Sequence, residues 1–143
     1  MKAYLFSAII IIVLISIAVF VSTKKKETAD TSKNSKISKF QETKTDLQNG
    51  VEVVVMPKQI EKGKPAEFEV SFTAHEGDLA FDLVKISVLK FDGKEFTAES
   101  WDGGSGGHHL SGNLVFPGLE KEPTKMILKM ENIAGANRTF TWE

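Results

Sequence analysis

From residue 50 onward the apolar side chains of this chain recur at every second position, a spacing that suits a pleated strand and not a helix. In the stretch AEFEVSFTAH, Phe68, Val70, Phe72 and Ala74 alternate with Glu67, Glu69, Ser71 and Thr73, which gives one face to a core and one to water. Val51, Val53 and Val55 mark a strand ending at Pro57. Val84, Ile86 and Val88 mark another, as do Leu114 with Phe116, Met126 with Leu128 and Met130, and Phe140 with Trp142. Turn residues fall between them at Gly63 and Pro65, Asp92-Gly93, Pro117-Gly118 and 135–137, and Asp92-Gly93 is the strongest hairpin signal. Roughly six to eight short strands without an amphipathic helix predict an all-β domain over residues 50–143, an immunoglobulin-like antiparallel β-sandwich. One irregularity is visible: the apolar parity of Val84, Ile86 and Val88 switches to Leu89 and Phe91, which calls for a bulge or a crossing between sheets.

The first part of the chain follows different rules. Residues 3–22 carry no charge, and at about 1.5 Å per residue they would span roughly 30 Å as a helix, the depth of a bilayer's hydrocarbon core. A cleaved leader usually has a shorter apolar core, so the length predicts one uncleaved transmembrane anchor helix in contact with the lipid bilayer. Residues 23–49 are polar and lysine-rich, too poor in apolar surface to offset chain entropy, and predict a disordered linker. The lysines just after the apolar run argue for a cytoplasmic linker, whereas the short head before it and the long domain behind it argue for translocation. The expectation is a single-pass protein of the cell membrane with its C-terminal domain outside the cytoplasm.

Charge partitions along the same boundaries: +1 in the anchor, +3 in the linker and −5 in the β-domain, for a net −1. An acidic domain without a basic cluster excludes nucleic acid as a natural partner. The absence of cysteine excludes disulfides, thiol nucleophiles, iron–sulfur clusters and thiolate metal sites. Met126 and Met130, spaced with Leu128, belong to a core rather than to soft copper ligation. A hydrolytic set of Ser105, His108 and Asp102 would need a rigidly held hydroxyl, which a GGSGG loop does not promise.

What remains is a group near the strand ends: His75, Glu76, Asp78 and Asp82, then Trp101, Asp102, His108 and His109 around the loop WDGGSGGHH. Imidazole together with carboxylate is the donor set of a zinc or copper site, so His75, Asp82, His108 and His109 are the candidate ligands of a divalent transition metal. Asp82 shares the parity of Val84 and Ile86 and would face the core, where it would require backbone amides, Arg138 or a metal. The adjacent His108 and His109 would point to opposite faces of an extended strand, leaving at most one to join His75.

The segments SWDGGSGGHHLSGNLVFP, FTAHEGDLAFDL and IAGANRTFTW together resemble a set of uncharacterised prokaryotic membrane-anchored or secreted proteins, across the whole expected β-domain. That resemblance implies neither an activity nor a cofactor. The expectation is therefore an extracytoplasmic binding or interaction module that engages an envelope protein or a metal ion, with a purely structural envelope accessory domain as the alternative.

Overall fold

The computed structural model describes residues 40–143; the expected anchor at 3–22 and most of the expected linker lie outside them. Nine strands and one helical turn follow in order: β1 (Lys44–Gln48), β2 (Val51–Gln59), β3 (Pro65–Ala74), α1 (Leu83–Ile86), β4 (Ser87–Phe91), β5 (Lys94–Thr97), β6 (Ser100–Trp101), β7 (His109–Gly118), β8 (Met126–Ile133) and β9 (Ala136–Trp142). They form two antiparallel sheets, ordered β1-β2-β3-β7-β6 and β5-β4-β8-β9. No helix among the described residues is long and apolar enough to cross a membrane.

The alternating residues do what their spacing requires. Val51, Val53 and Val55 of β2, Phe68, Val70 and Phe72 of β3, and Leu114 and Phe116 of β7 are buried from one sheet; Leu89 and Phe91 of β4, Met126, Leu128 and Met130 of β8, and Phe140 and Trp142 of β9 are buried from the other. Together they make one core. Phe68 joins the two contributions, with its ring centroid 5.8 Å from Phe116 and 5.6 Å from Trp142.

Three hairpins close through two-residue turns whose residues both have positive φ: Asn49-Gly50 (50° and 71°), Asp92-Gly93 (48° and 79°) and Ala134-Gly135 (49° and 77°). This geometry matches the twist of the strands it joins. The Asp92-Gly93 hairpin agrees with its sequence signal. The Asn49-Gly50 hairpin overturns the expected linker boundary at residue 49, because β1 lies within that linker and pairs with β2 from Lys44↔Val55 to Gln48↔Val51.

Three further expectations are corrected. Val84 and Ile86 are not in a strand: α1 occupies 83–86, and the strand begins at Ser87 with Ser87, Leu89 and Phe91 inward. One helical turn, rather than a bulge or a crossing, produces the parity switch. Pro57 does not end β2, which continues past it to Gln59 through a register shift; β1 reaches only to Val55, so among the described residues one side of β2 has no neighbour at Pro57 and a missing N–H is tolerated. Pro117 likewise lies inside β7, at a register shift opposite Pro65 and Ala66.

The strands define two ends. One carries the Asn49-Gly50 and Ala134-Gly135 turns, the segment 75–82 after β3 and the segment 102–108 before β7. The other carries the Asp92-Gly93 turn and the residues after Gly118.

Candidate functional site: two stapled loops

β3 and β7 are neighbours with Thr73 opposite His109, so the chain leaving β3 and the chain entering β7 emerge side by side. Their pairing continues into the loops. Ala74 N–H donates to His108 O (2.8 Å), Leu79 N–H to Gly107 O (3.0 Å), and Gly106 N–H to Leu79 O (3.0 Å). Ser105 Oγ donates to Phe81 O (3.5 Å), and the Asp78 carboxylate accepts from the Gly107 N–H. Gly106 and Gly107 take φ of 91° and 85°, which side chains rarely adopt, and this conformation turns both amides toward the facing loop. His75 N–H donates to Gly50 O (3.1 Å), tying the β1–β2 turn to the same surface.

A second set of contacts fixes the start of the glycine loop. Trp101 folds back so that Nε1 donates to Gly104 O (2.7 Å), and its ring lies where any Cβ on Gly103 would be. Gly103 in turn rests on Gly112 of β7, where a Cβ would strike the Gly103 backbone and the Asp102 carboxylate. Asp102 accepts from both the backbone N–H and the side-chain amide of Asn113, the latter at 3.0 Å. These bonds, the backbone one foremost, hold its carboxyl below the ordinary carboxylate range. Phe72 carries the order inward, with ring centroids 5.1 Å from Phe81 and 6.2 Å from Trp101. The glycine-rich loop is thus stapled at every turn, contrary to the flexibility its composition suggests.

His75, His108 and His109 are all exposed and all at this end, as the sequence required for a shared site. Asp82 does not join them. Its side chain caps α1, accepting from Lys85 N–H (3.4 Å) and pairing with Lys85 Nζ (2.9 Å), and it is half exposed instead of facing the core. The Lys85 hydrogen bond is the main cause of its lowered pKa. Among the described residues no three His, Asp or Glu side chains are grouped to hold a metal, so the expected zinc or copper set of His75, Asp82, His108 and His109 is not assembled. The parity argument for Asp82 failed because the segment after it is helical. Asp102 is bonded to Asn113 and Ser105 to Phe81 O, so the hydrolytic set is not assembled either.

Sequence reasoning overlooked Gly112 and Asn113. Their signal was present, since a glycine inside a strand pattern marks a close backbone approach. At the other end, a depression of about 270 Å³ is lined by Phe91, Asp92, Lys94, Phe96, Glu120 and Lys121. Its charges are already paired, Lys94 with Glu120 (2.8 Å) and Lys121 with Asp92 (2.6 Å). No family model, no curated protein and no solved structure matches this chain.

Proposed function

We propose that this protein is a membrane-anchored interaction module, an immunoglobulin-like β-sandwich that presents its stapled-loop end to a protein partner outside the cytoplasm. The uncharged run at 3–22 supports the anchor. The strand order supports the immunoglobulin-like assignment: β2-β3-β7-β6 and β5-β4-β8-β9 correspond to the A-B-E-D and C′-C-F-G arrangements, with β1 added outside the first.

The observation that carries the reading is the staple itself. Segments 75–82 and 102–108 bond to each other through backbone and side-chain groups, while His75, Glu76, His108 and His109 are left exposed above them. Fixed irregular backbone with polar side chains free at the surface binds partners at low ordering cost. These segments carry Glu76, Asp78, Asp82 and Asp102 and no lysine or arginine, the nearby Lys85 of α1 being paired with Asp82, which favours a partner surface of positive potential.

The test places a photo-crosslinking residue at His108 of the full-length chain in its native membrane, with the same residue at Lys58 as the control. A discrete adduct from His108 that is absent from Lys58 is the expected result, as is a melting temperature unchanged by Zn²⁺ or Cu²⁺. Equal labelling at both positions, or a melting temperature raised by either ion and restored by His75→Ala with His108→Ala, overturns it.

A further inference from the structure

We propose that β1 is a self-pairing edge, through which two copies of this chain join their five-stranded sheets into one continuous antiparallel sheet. The four sheet edges are unequal. β6 has two residues and β5 four. β9 runs beside β1 and reaches across to it near both ends, from Trp142 Nε1 to Glu42 O (2.7 Å) and from Arg138 Nη2 to Gln48 O (2.7 Å). β1 pairs with β2 on one side and with no strand on the other among the described residues. It also carries Leu47, the exposed large hydrophobic side chain of the described residues, at 62% exposure.

The backbone decides which register a second copy would adopt. Gln48 and Val51 close a two-residue turn as a hydrogen-bonded pair, so by the alternation of an antiparallel ladder the N–H and C=O groups of Gln48, Asp46 and Lys44 face β2. Those of Thr45 and Leu47 face outward. A two-fold axis can pass beside an outward-facing residue, as a hydrogen-bonded pair, or beside Lys44 or Asp46, as a non-hydrogen-bonded pair, but the latter two set like charges directly opposite each other. At Leu47 the pairing would run out at Asn49, where φ turns positive; at Thr45 it extends over the whole strand.

With Thr45 on the axis, Lys44 of each copy lies opposite Asp46 of the other, Leu47 opposite Thr43, and Glu42 opposite Gln48. Lys44 is already paired with Glu42 of its own copy (2.7 Å) and Asp46 with Arg138, so what this register offers is the absence of like charges opposite each other. The strand has no proline and no bulge to blunt it. Its sequence KTDLQ is self-complementary in charge about its second residue, and that residue's backbone is free to pair.

The chain contains no cysteine, so a single introduced thiol reports on one position. Thr45 and Ser71 lie in the same cross-strand row, through Val54, two strands apart. In the proposed dimer the two Thr45 positions face each other, whereas the two Ser71 positions are separated by five strand spacings, about 24 Å. Full-length Thr45→Cys, in detergent, should give a covalent dimer with a short bis-maleimide more than about tenfold faster than Ser71→Cys, because pairing raises the effective concentration of facing thiols. Adding Leu47→Lys to Thr45→Cys should remove that advantage. Equal rates at positions 45 and 71, no dimer from either, or an advantage that survives Leu47→Lys would overturn the proposal. The loop surface proposed above plays no part in this experiment.

Discussion

Arg138 is fully buried, and its guanidinium is the most costly group in the core to take out of water. Nη1 donates to the Asp46 carboxylate, while Nη2 donates to the carbonyls of Gln48 (2.7 Å) and Val51 (3.4 Å). Nε has no partner among the described residues. A planar, permanently charged fork suits this position, because it reaches three acceptors on β1 and β2 from a single side chain of β9. Asp46→Ala should therefore cost roughly 3 kcal/mol in urea unfolding, the low end for a broken buried pair because Asp46 keeps some contact with water. Adding Arg138→Met should recover most of that loss, since the stranded charge is then gone. A double variant no more stable than Asp46→Ala would show that the guanidinium is tolerated without its carboxylate.

At the level of elements, the glycine loop and the strands differ in how acid should affect them. Asp102 is held below the ordinary carboxylate range chiefly by the Asn113 N–H, so the folded loop favours its charged form. The contribution is complete above the unfolded carboxylate value and is lost as pH falls through the lowered one. Protection of the Asn113 amide from hydrogen exchange should fall in acid before that of Val70 in the middle of β3. In Asp102→Asn it should be weaker at neutral pH and nearly flat across the acid range; an unchanged acid profile would place the cause elsewhere. The elements themselves were unequally legible in the sequence. β3 and β8 were plain because Phe68, Val70 and Phe72 in one, and Met126, Leu128 and Met130 in the other, are large, apolar and evenly spaced. β1 was hidden, because KTDLQ buries no large apolar side chain and its docking depends on Arg138, ninety residues away; only Asn49-Gly50 announced it. α1 was hidden for the opposite reason, since Val84 and Ile86 satisfy a strand pattern while Asp82 and Lys85 close a helical turn. The candidate site was legible in its location, with all three histidines at one end, but not in its chemistry, because Asp82 is taken up by capping and the staples are mostly backbone.

For the whole molecule, the domain boundary matters more than any single loop. A fragment beginning at residue 50, where the alternating pattern starts, lacks β1. It would leave Arg138 without Asp46 and Gln48 O, and Trp142 Nε1 without Glu42 O. A fragment beginning at Phe40 keeps all of these, together with the Phe40 ring packed on the core. The shorter fragment should melt more than about 10 °C below the longer one, given several degrees per kcal/mol for a domain of this size. Equal melting temperatures would mean that β1 is an ornament rather than part of the folding unit.

β1 is also the stretch through which the N-terminal part of the chain is joined to the folded body, and it runs lengthwise toward the stapled loops. If a partner grips those loops while tension is applied from the N-terminal side, the load falls along β1 in shear. The bonds to β2 and the Asp46–Arg138 clamp must then yield together rather than unzip one by one, so the weakest-looking strand becomes the element that sets the rupture force.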